Sequence, residues 1–119
     1  MEERLNKEKW IQELFEKGSS FILYPFRVVY LPHPDPVHPS HQVLISVSIR
    51  NFKKATDRNT IKRRIREAYR LNNSKILSPG KWLIAYIYIA KEMIPSEMIH
   101  KKLALTFGQI QWNKPDEKN

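Results

Sequence analysis

Hydrophobic and polar positions recur with two different periods along this chain, and the change of period marks its elements. From Asn6 to Lys17, Trp10, Ile11, Leu14 and Phe15 are spaced by one, three and four, which predicts a short amphipathic helix ending at Gly18. Ser20 to Leu31 is rich in aromatic and β-branched residues but interrupted by Pro25, so two short strands or one bent edge strand are expected, with Phe26, Val28 and Tyr30 sharing a face. Pro32 to Ser40 holds too many prolines for a helix or central strand and reads as a loop. Gln42 to Ile49 alternates, placing Val43, Ile45, Val47 and Ile49 on one side, the period of a half-buried strand.

Helical spacing returns from Asp57 to Arg70. Ile61, Ile65, Ala68 and Tyr69 gather on one side, and Lys62, Arg63, Arg66 and Arg70 on the adjoining side. Thr56 or Asp57 is the expected N-cap, and Asn72 and Asn73 mark the fading end. After the turn signal Ser78-Pro79-Gly80, Trp82 to Ala90 is almost continuously apolar, as a central strand covered on both faces would be. Pro95-Ser96 opens a last helix carrying Met98, Ile99, Leu103, Leu105, Phe107 and Ile110. The order αβββαβα predicts an α+β fold, a two-layer sandwich of helices on a mainly antiparallel four-stranded sheet. One domain is expected over residues 1–112, followed by a polar, disordered tail over 113–119.

Composition narrows the partners. A net charge of +9 with a pI near 9.9 exceeds what solubility needs and favours polyanions through counterion release. Six of the 21 basic residues fall between Asp57 and Arg70, so the charge is concentrated on one helix whose other side is apolar. Arginine forks and lysine ammonium groups suit phosphate oxygens, and the apolar side fixes where they point. There is no cysteine, which excludes a disulfide framework and cysteine-based zinc or nucleophile chemistry. The charged N-terminus shows no export signal, and no apolar run approaches a membrane span; a cytoplasmic protein without membrane association is expected.

The run Arg58-Asn59-Thr60, Lys62-Arg63 and Arg66-Glu67 resembles the signature of the protein component of bacterial ribonuclease P, in which Arg-Asn-Arg is followed by Lys-Arg and Arg-Glu. Thr60 departs from it, standing where arginine is commonest. The resemblance extends from Phe15 and Gly18 through Val43–Ser48 to the strand at Trp82–Ala90. It implies an accessory subunit of a ribonucleoprotein endoribonuclease, inactive alone, in which RNA and RNA-held Mg2+ remove the 5′ leader of precursor tRNA. It implies a monomer in a 1:1 complex with ribonuclease P RNA, and a left-handed crossover through the basic helix, against the usual hand.

By the same resemblance, Arg58, Asn59, Lys62, Arg63 and Arg66 would contact RNA, with Arg70 and Arg64 at the flanks of that face. Asn59 suits a base edge or 2′-hydroxyl, or alternatively a capping role. Arg50, Lys53 and Lys54 are further RNA contacts if the charge has moved along the connector, and a solvated basic loop if not. A cleft beside the first helix would take single-stranded leader, where aromatic faces stack on bases. Phe15 and Tyr30 are its candidates, with core packing the alternative reading; Phe26 and Trp10 read as core.

No catalytic dyad is visible, and Glu13, Glu16 and Glu67 suit surface ion pairs. His33, His38 and His41 are spaced closely enough to bind zinc, but the prolines between them argue for an exposed loop without fixed geometry. The rival function is a general structural RNA-binding or ribosome-associated protein with no processing role. A helix-turn-helix DNA reader fits less well, because strands flank the basic helix on both sides.

Overall fold

The uninterrupted apolar run near the C-terminal end forms the middle of the sheet. The computed structural model describes residues 3–73 and 80–110; the predicted tail, and Ser78 and Pro79 of the predicted turn, lie outside them. The elements are β1 (Glu3–Arg4), α1 (Glu8–Lys17), β2 (Ser19–Leu23), β3 (Phe26–Pro32), β4 (Gln42–Val47), α2 (Ala55–Asn72), β5 (Trp82–Tyr88) and α3 (Ser96–Gln109). The sheet order is β1-β4-β5-β3-β2, with β5 at the centre. β2 and β3 form an antiparallel hairpin turning at Tyr24-Pro25, so the two-strand reading of that segment holds and Pro25 lies in the turn.

The α+β class agrees with the sequence, and two details of the sheet differ. It is mixed: β3 pairs antiparallel with β5, while β4 pairs parallel with β5 through the connection made by α2. A two-residue strand before the first helix, β1, adds a parallel edge to β4. No two-residue element has a readable period, so only tertiary pairing reveals it.

Strand alternation builds two cores. Phe26, Val28, Val43, Ile45, Ile84 and Tyr86 pack beneath α2 and α3, which contribute Ile61, Ile65, Tyr69, Ile99 and Leu103. On the opposite face Val29, Leu83 and Ala85 pack with Leu14 of α1 and Leu5, which follows β1. The first helix therefore lies across the sheet from the other two. The apolar side of α2 read from sequence, Ile61, Ile65, Ala68 and Tyr69, is its buried set. Ile49, assigned by alternation to the buried side of β4, lies beyond the strand and is 64% exposed. Met98 and Leu105 of α3 are also exposed, while Thr106 is buried and hydrogen-bonded to Tyr86 at 3.1 Å.

Gly18 ends α1 as expected, but not through a left-handed conformation, since its φ is −75°. Space is what requires glycine: a Cβ here would stand 2.5 Å from the Leu14 carbonyl oxygen and 2.9 Å from that of Tyr30. Gly18→Ala should therefore push α1 off the sheet and cost about 1–3 kcal/mol in urea unfolding. Gly108, inside α3 with nothing near its Cβ position, should respond oppositely, Gly108→Ala gaining about 0.5–1 kcal/mol.

Candidate nucleic-acid interface

Helix α2 begins at Ala55, two residues before a Thr56 cap and three before an Asp57 cap would start it. Lys54 is the N-cap and offers no side-chain cap, while Asp57 falls in the first turn, where a carboxylate suits the helix dipole. The connector ahead of it is pinned by Phe52, buried against Tyr88 at 5.9 Å, and by the Phe52 N–H donating to the Ser48 carbonyl at 3.1 Å. Arg50, Lys53 and Lys54 are exposed on this pinned connector.

Because Asn59, Lys62, Arg63 and Arg66 follow one another at helical intervals of three, one and three, they fall on one face of α2. That face meets the β1 edge of the sheet across a groove of about 410 Å³. The four α2 residues form one wall, and Arg4 of β1 joins the lining from the sheet edge. Leu5, Leu44 and Ile45 complete the lining, and among the described residues no carboxylate joins it. Cations facing one another across a small concave site make a receptor for anions.

Two arginines of the basic run serve the fold. Arg58 Nη1 donates to the carbonyls of Phe52 at 2.8 Å and Lys53 at 3.0 Å, so this guanidinium holds the connector against the helix. Arg64, already at the flank of the predicted face, donates to the Ile94 carbonyl at 3.0 Å and ties α2 to the segment before α3. Thr60, the departure from the signature, turns back on its own helix and donates to the Thr56 carbonyl at 2.9 Å. Arg70 is exposed one turn beyond Arg66 and outside the groove.

Phe15 and Tyr30 do not share a cleft. Tyr30 lies on the α2 and α3 side of the sheet, its ring 6.0 Å from Phe21 and 5.9 Å from Trp82. Phe15 belongs to α1, on the other side, and is 47% exposed. What lies on the α1 side is a row of neighbours across the strands, Arg27 on β3, Ile87 on β5 and Ser46 on β4. This row is one step beyond Val29, Ala85 and Leu44, which pack in the α1 cluster. Arg27 was legible as the residue alternating with Phe26 and Val28; Arg4 had no such signal. Phe26 is core as read, and Trp10 is half-buried, with Lys7 Nζ 4.6 Å above its ring.

The histidines are ordered, contrary to the exposed-loop expectation. His33 is buried, stacks on His38 with centroids 4.2 Å apart, and meets the edge of Trp10 at 4.5 Å. Its Nδ1 accepts from the Asp35 N–H at 3.1 Å, which leaves Nε2 to donate to Gln42 Oε1 at 3.0 Å. Among the described residues no group of three or more His, Cys, Asp or Glu is placed to hold a metal ion.

His41 Nδ1 accepts from the Trp82 N–H at 3.0 Å, a bond that protonation there would break. Burial first, and the nearby Lys81 charge second, lower its pKa from the ordinary 6.5 to about 4. The unfolded chain thus takes up this proton before the folded one. The contribution to stability is complete above about pH 6.5 and is lost as pH falls toward 4. Thermal unfolding temperature should therefore drop across that window, and His41→Asn, which keeps an acceptor, should flatten the drop.

Comparison with known proteins agrees with this geometry. A family model described as Ribonuclease P matches residues 1–111. The chain is 30% identical over 118 residues to the ribonuclease P protein component of Porphyromonas gingivalis, covering 95% of this chain and 86% of that one. With the component from Geobacillus kaustophilus it shares 33% over 91 residues, covering 76% and 69%. Among solved structures, the RNase P protein from Thermotoga maritima superposes with a TM-score of 0.75 at 25% identity, covering 92% of this chain and 98% of that one. The RNase P protein of Staphylococcus aureus does so with 0.73 at 26% identity, covering 92% and 95%. No described helix is long and apolar enough to cross a membrane.

Proposed function

Since this chain belongs to the ribonuclease P protein family, we propose that it binds ribonuclease P RNA through the α2 groove and assists removal of the 5′ leader from precursor tRNA. The observation that carries this reading is the convergence of Asn59, Lys62, Arg63 and Arg66 with Arg4 around one groove. Phosphate oxygens would accept from the guanidinium and ammonium groups, and the buried Ile61 and Ile65 of the same helix hold those donors in place. Arg50, Lys53 and Lys54 extend the cationic surface along the pinned connector, and Arg70 along the helix.

Leader RNA would lie on the opposite face of the sheet, beside α1. There Phe15 offers a stacking surface and Arg27 a charge, next to Ile87 and Ser46. Tyr30, across the sheet, takes no part. A lining of cations repels a divalent ion, so the groove does not fit magnesium; in this reading Mg2+ resides on the RNA, which performs the cleavage. The protein would act in the cytoplasm as one copy per RNA, lowering the magnesium that the RNA requires by screening phosphates.

The test is cleavage of a precursor tRNA by the source organism's ribonuclease P RNA at low magnesium, with and without the protein. Restored 5′ processing by a protein that is inert alone supports the reading. Binding without any effect on processing would instead favour a general RNA-binding role.

A further inference from the structure

We propose that strand β2 pairs with β2 of a second copy of this chain, antiparallel about a two-fold axis through Phe21, so that two sheets join edge to edge. The proposal is independent of the RNA-binding reading. It follows from the backbone groups, the side chains and the charges of that edge.

β2 is an outermost strand, and among the described residues no strand pairs with its outer side. The direction of its backbone groups follows from the neighbouring pair. At the two ends of the β3 and β5 pairing, the Ile89 N–H donates to the Pro25 carbonyl and the His33 N–H to the Lys81 carbonyl, each at 2.9 Å. Odd-numbered positions of this segment thus bond toward β5, and alternation leaves Phe26, Val28 and Tyr30 to bond with Leu23, Phe21 and Ser19. Ser20 and Ile22 therefore aim their N–H and C=O groups out of the sheet. Edges are ordinarily blunted by a charge, a proline or a bulge. Ser19–Leu23 has none of these: it is uncharged, it pairs in unbroken register with β3, and Ile22 is 67% exposed.

A second copy is the occupant because the outward groups are self-complementary. An axis through Phe21 sets Ser20 opposite Ile22 of the other copy and Ile22 opposite its Ser20. These two reciprocal pairs use both N–H and both C=O groups of each strand. The charges agree with this register. Arg27, beside Ile22 on the α1 face, comes within two strand spacings, about 10 Å, of the other copy's Ser20. That position lies just past the C-terminal end of α1, where the helix dipole and Glu16 favour a cation and Lys17 is already paired with Glu13 at 3.4 Å. The α2 groove lies beside β1, at the far edge of each sheet, and stays open to RNA. Two short strands make a small contact, so the association is weak and reversible. Two chains of charge +9 repel, so it should tighten with added salt, the reverse of RNA binding.

The experiment is disulfide cross-linking of the full chain, whose lack of cysteine lets single cysteines report the register. Phe21→Cys meets itself on the axis with Cα atoms about 4.5 Å apart. It should link about tenfold faster under mild oxidation than Ser19→Cys or Leu23→Cys, each about 14 Å from its own counterpart. Because Phe21 packs against Tyr30, a second measurement uses the exposed positions. Ser20→Cys mixed with Ile22→Cys should link at least about fivefold faster than either variant alone. Adding Ile22→Lys to Phe21→Cys should return linking to the rate of the off-axis cysteines. Equal rates at every position, or linking indifferent to Ile22→Lys, overturn the proposal. So does an edge whose cysteines capture an added extended peptide but never a second copy, which would assign it to a foreign strand. No readout here involves RNA, so failure of the pairing leaves the ribonuclease P role standing.

Discussion

Replacing Lys62, Arg63 and Arg66 together with glutamine should lower affinity for ribonuclease P RNA on the order of a hundredfold to a thousandfold at moderate salt. Each charge-assisted contact is worth about 1.5–3 kcal/mol when well formed, and partial exposure of these side chains takes each toward ~1 kcal/mol. The more diagnostic quantity is the salt dependence. Each cation that neutralises a phosphate contributes about 0.7–0.9 to the slope of log affinity against log salt, so three should flatten that slope by roughly 2–3. Thermal stability should stay within ~1 kcal/mol of the parent, because none of the three is in the buried set of α2. An unchanged salt slope would show that the groove does not meet the RNA backbone.

The choice of these three over Arg58 could not have been made from sequence. In the run of charges Arg58 is equivalent to its neighbours, yet its guanidinium is engaged by the carbonyls of Phe52 and Lys53. Removing it would loosen the connector and confound binding with folding. Charge is a local property and legible; which charge faces solvent, loop or groove depends on what the rest of the chain places opposite. The same reasoning separates Phe15 from Tyr30. Aromatic character is visible in a sequence, but the face of the sheet each occupies depends on strand register, where one position exchanges the two sides. Pattern did carry the larger elements: the buried side of α2 follows from spacing and the central strand at Trp82 from its unbroken apolar run, while Pro25 left two short strands or one bent edge strand open until the pairing of β2 with β3 decided it. The ordered histidines were hidden for a related reason, since their stacking needs Trp10 from α1 and Gln42 from β4 brought to the same end of the sheet.

Ile65→Ala should separate the two sides of α2 from the other direction. Ile65 is 0% exposed and belongs to the main core with Ile61 and Tyr69. Truncating it removes the transfer energy of its methylenes and leaves a cavity, together about 2–5 kcal/mol in urea or thermal unfolding. Lys62 and Arg66 flank this position, one three residues before it and one directly after, so their aim relies on how firmly Ile65 seats the helix on β4. If the groove works by preorganised direction, the folded fraction of Ile65→Ala should also bind RNA more weakly, with the salt slope of the parent kept because every cation is still present. If bare charge density were enough, affinity corrected for the unfolded fraction would be unchanged. The two variants thus form a pair: one removes charge and keeps the helix seated, the other keeps charge and unseats the helix. Only a groove whose cations are positioned by the core predicts that both lose affinity while only the first loses salt dependence.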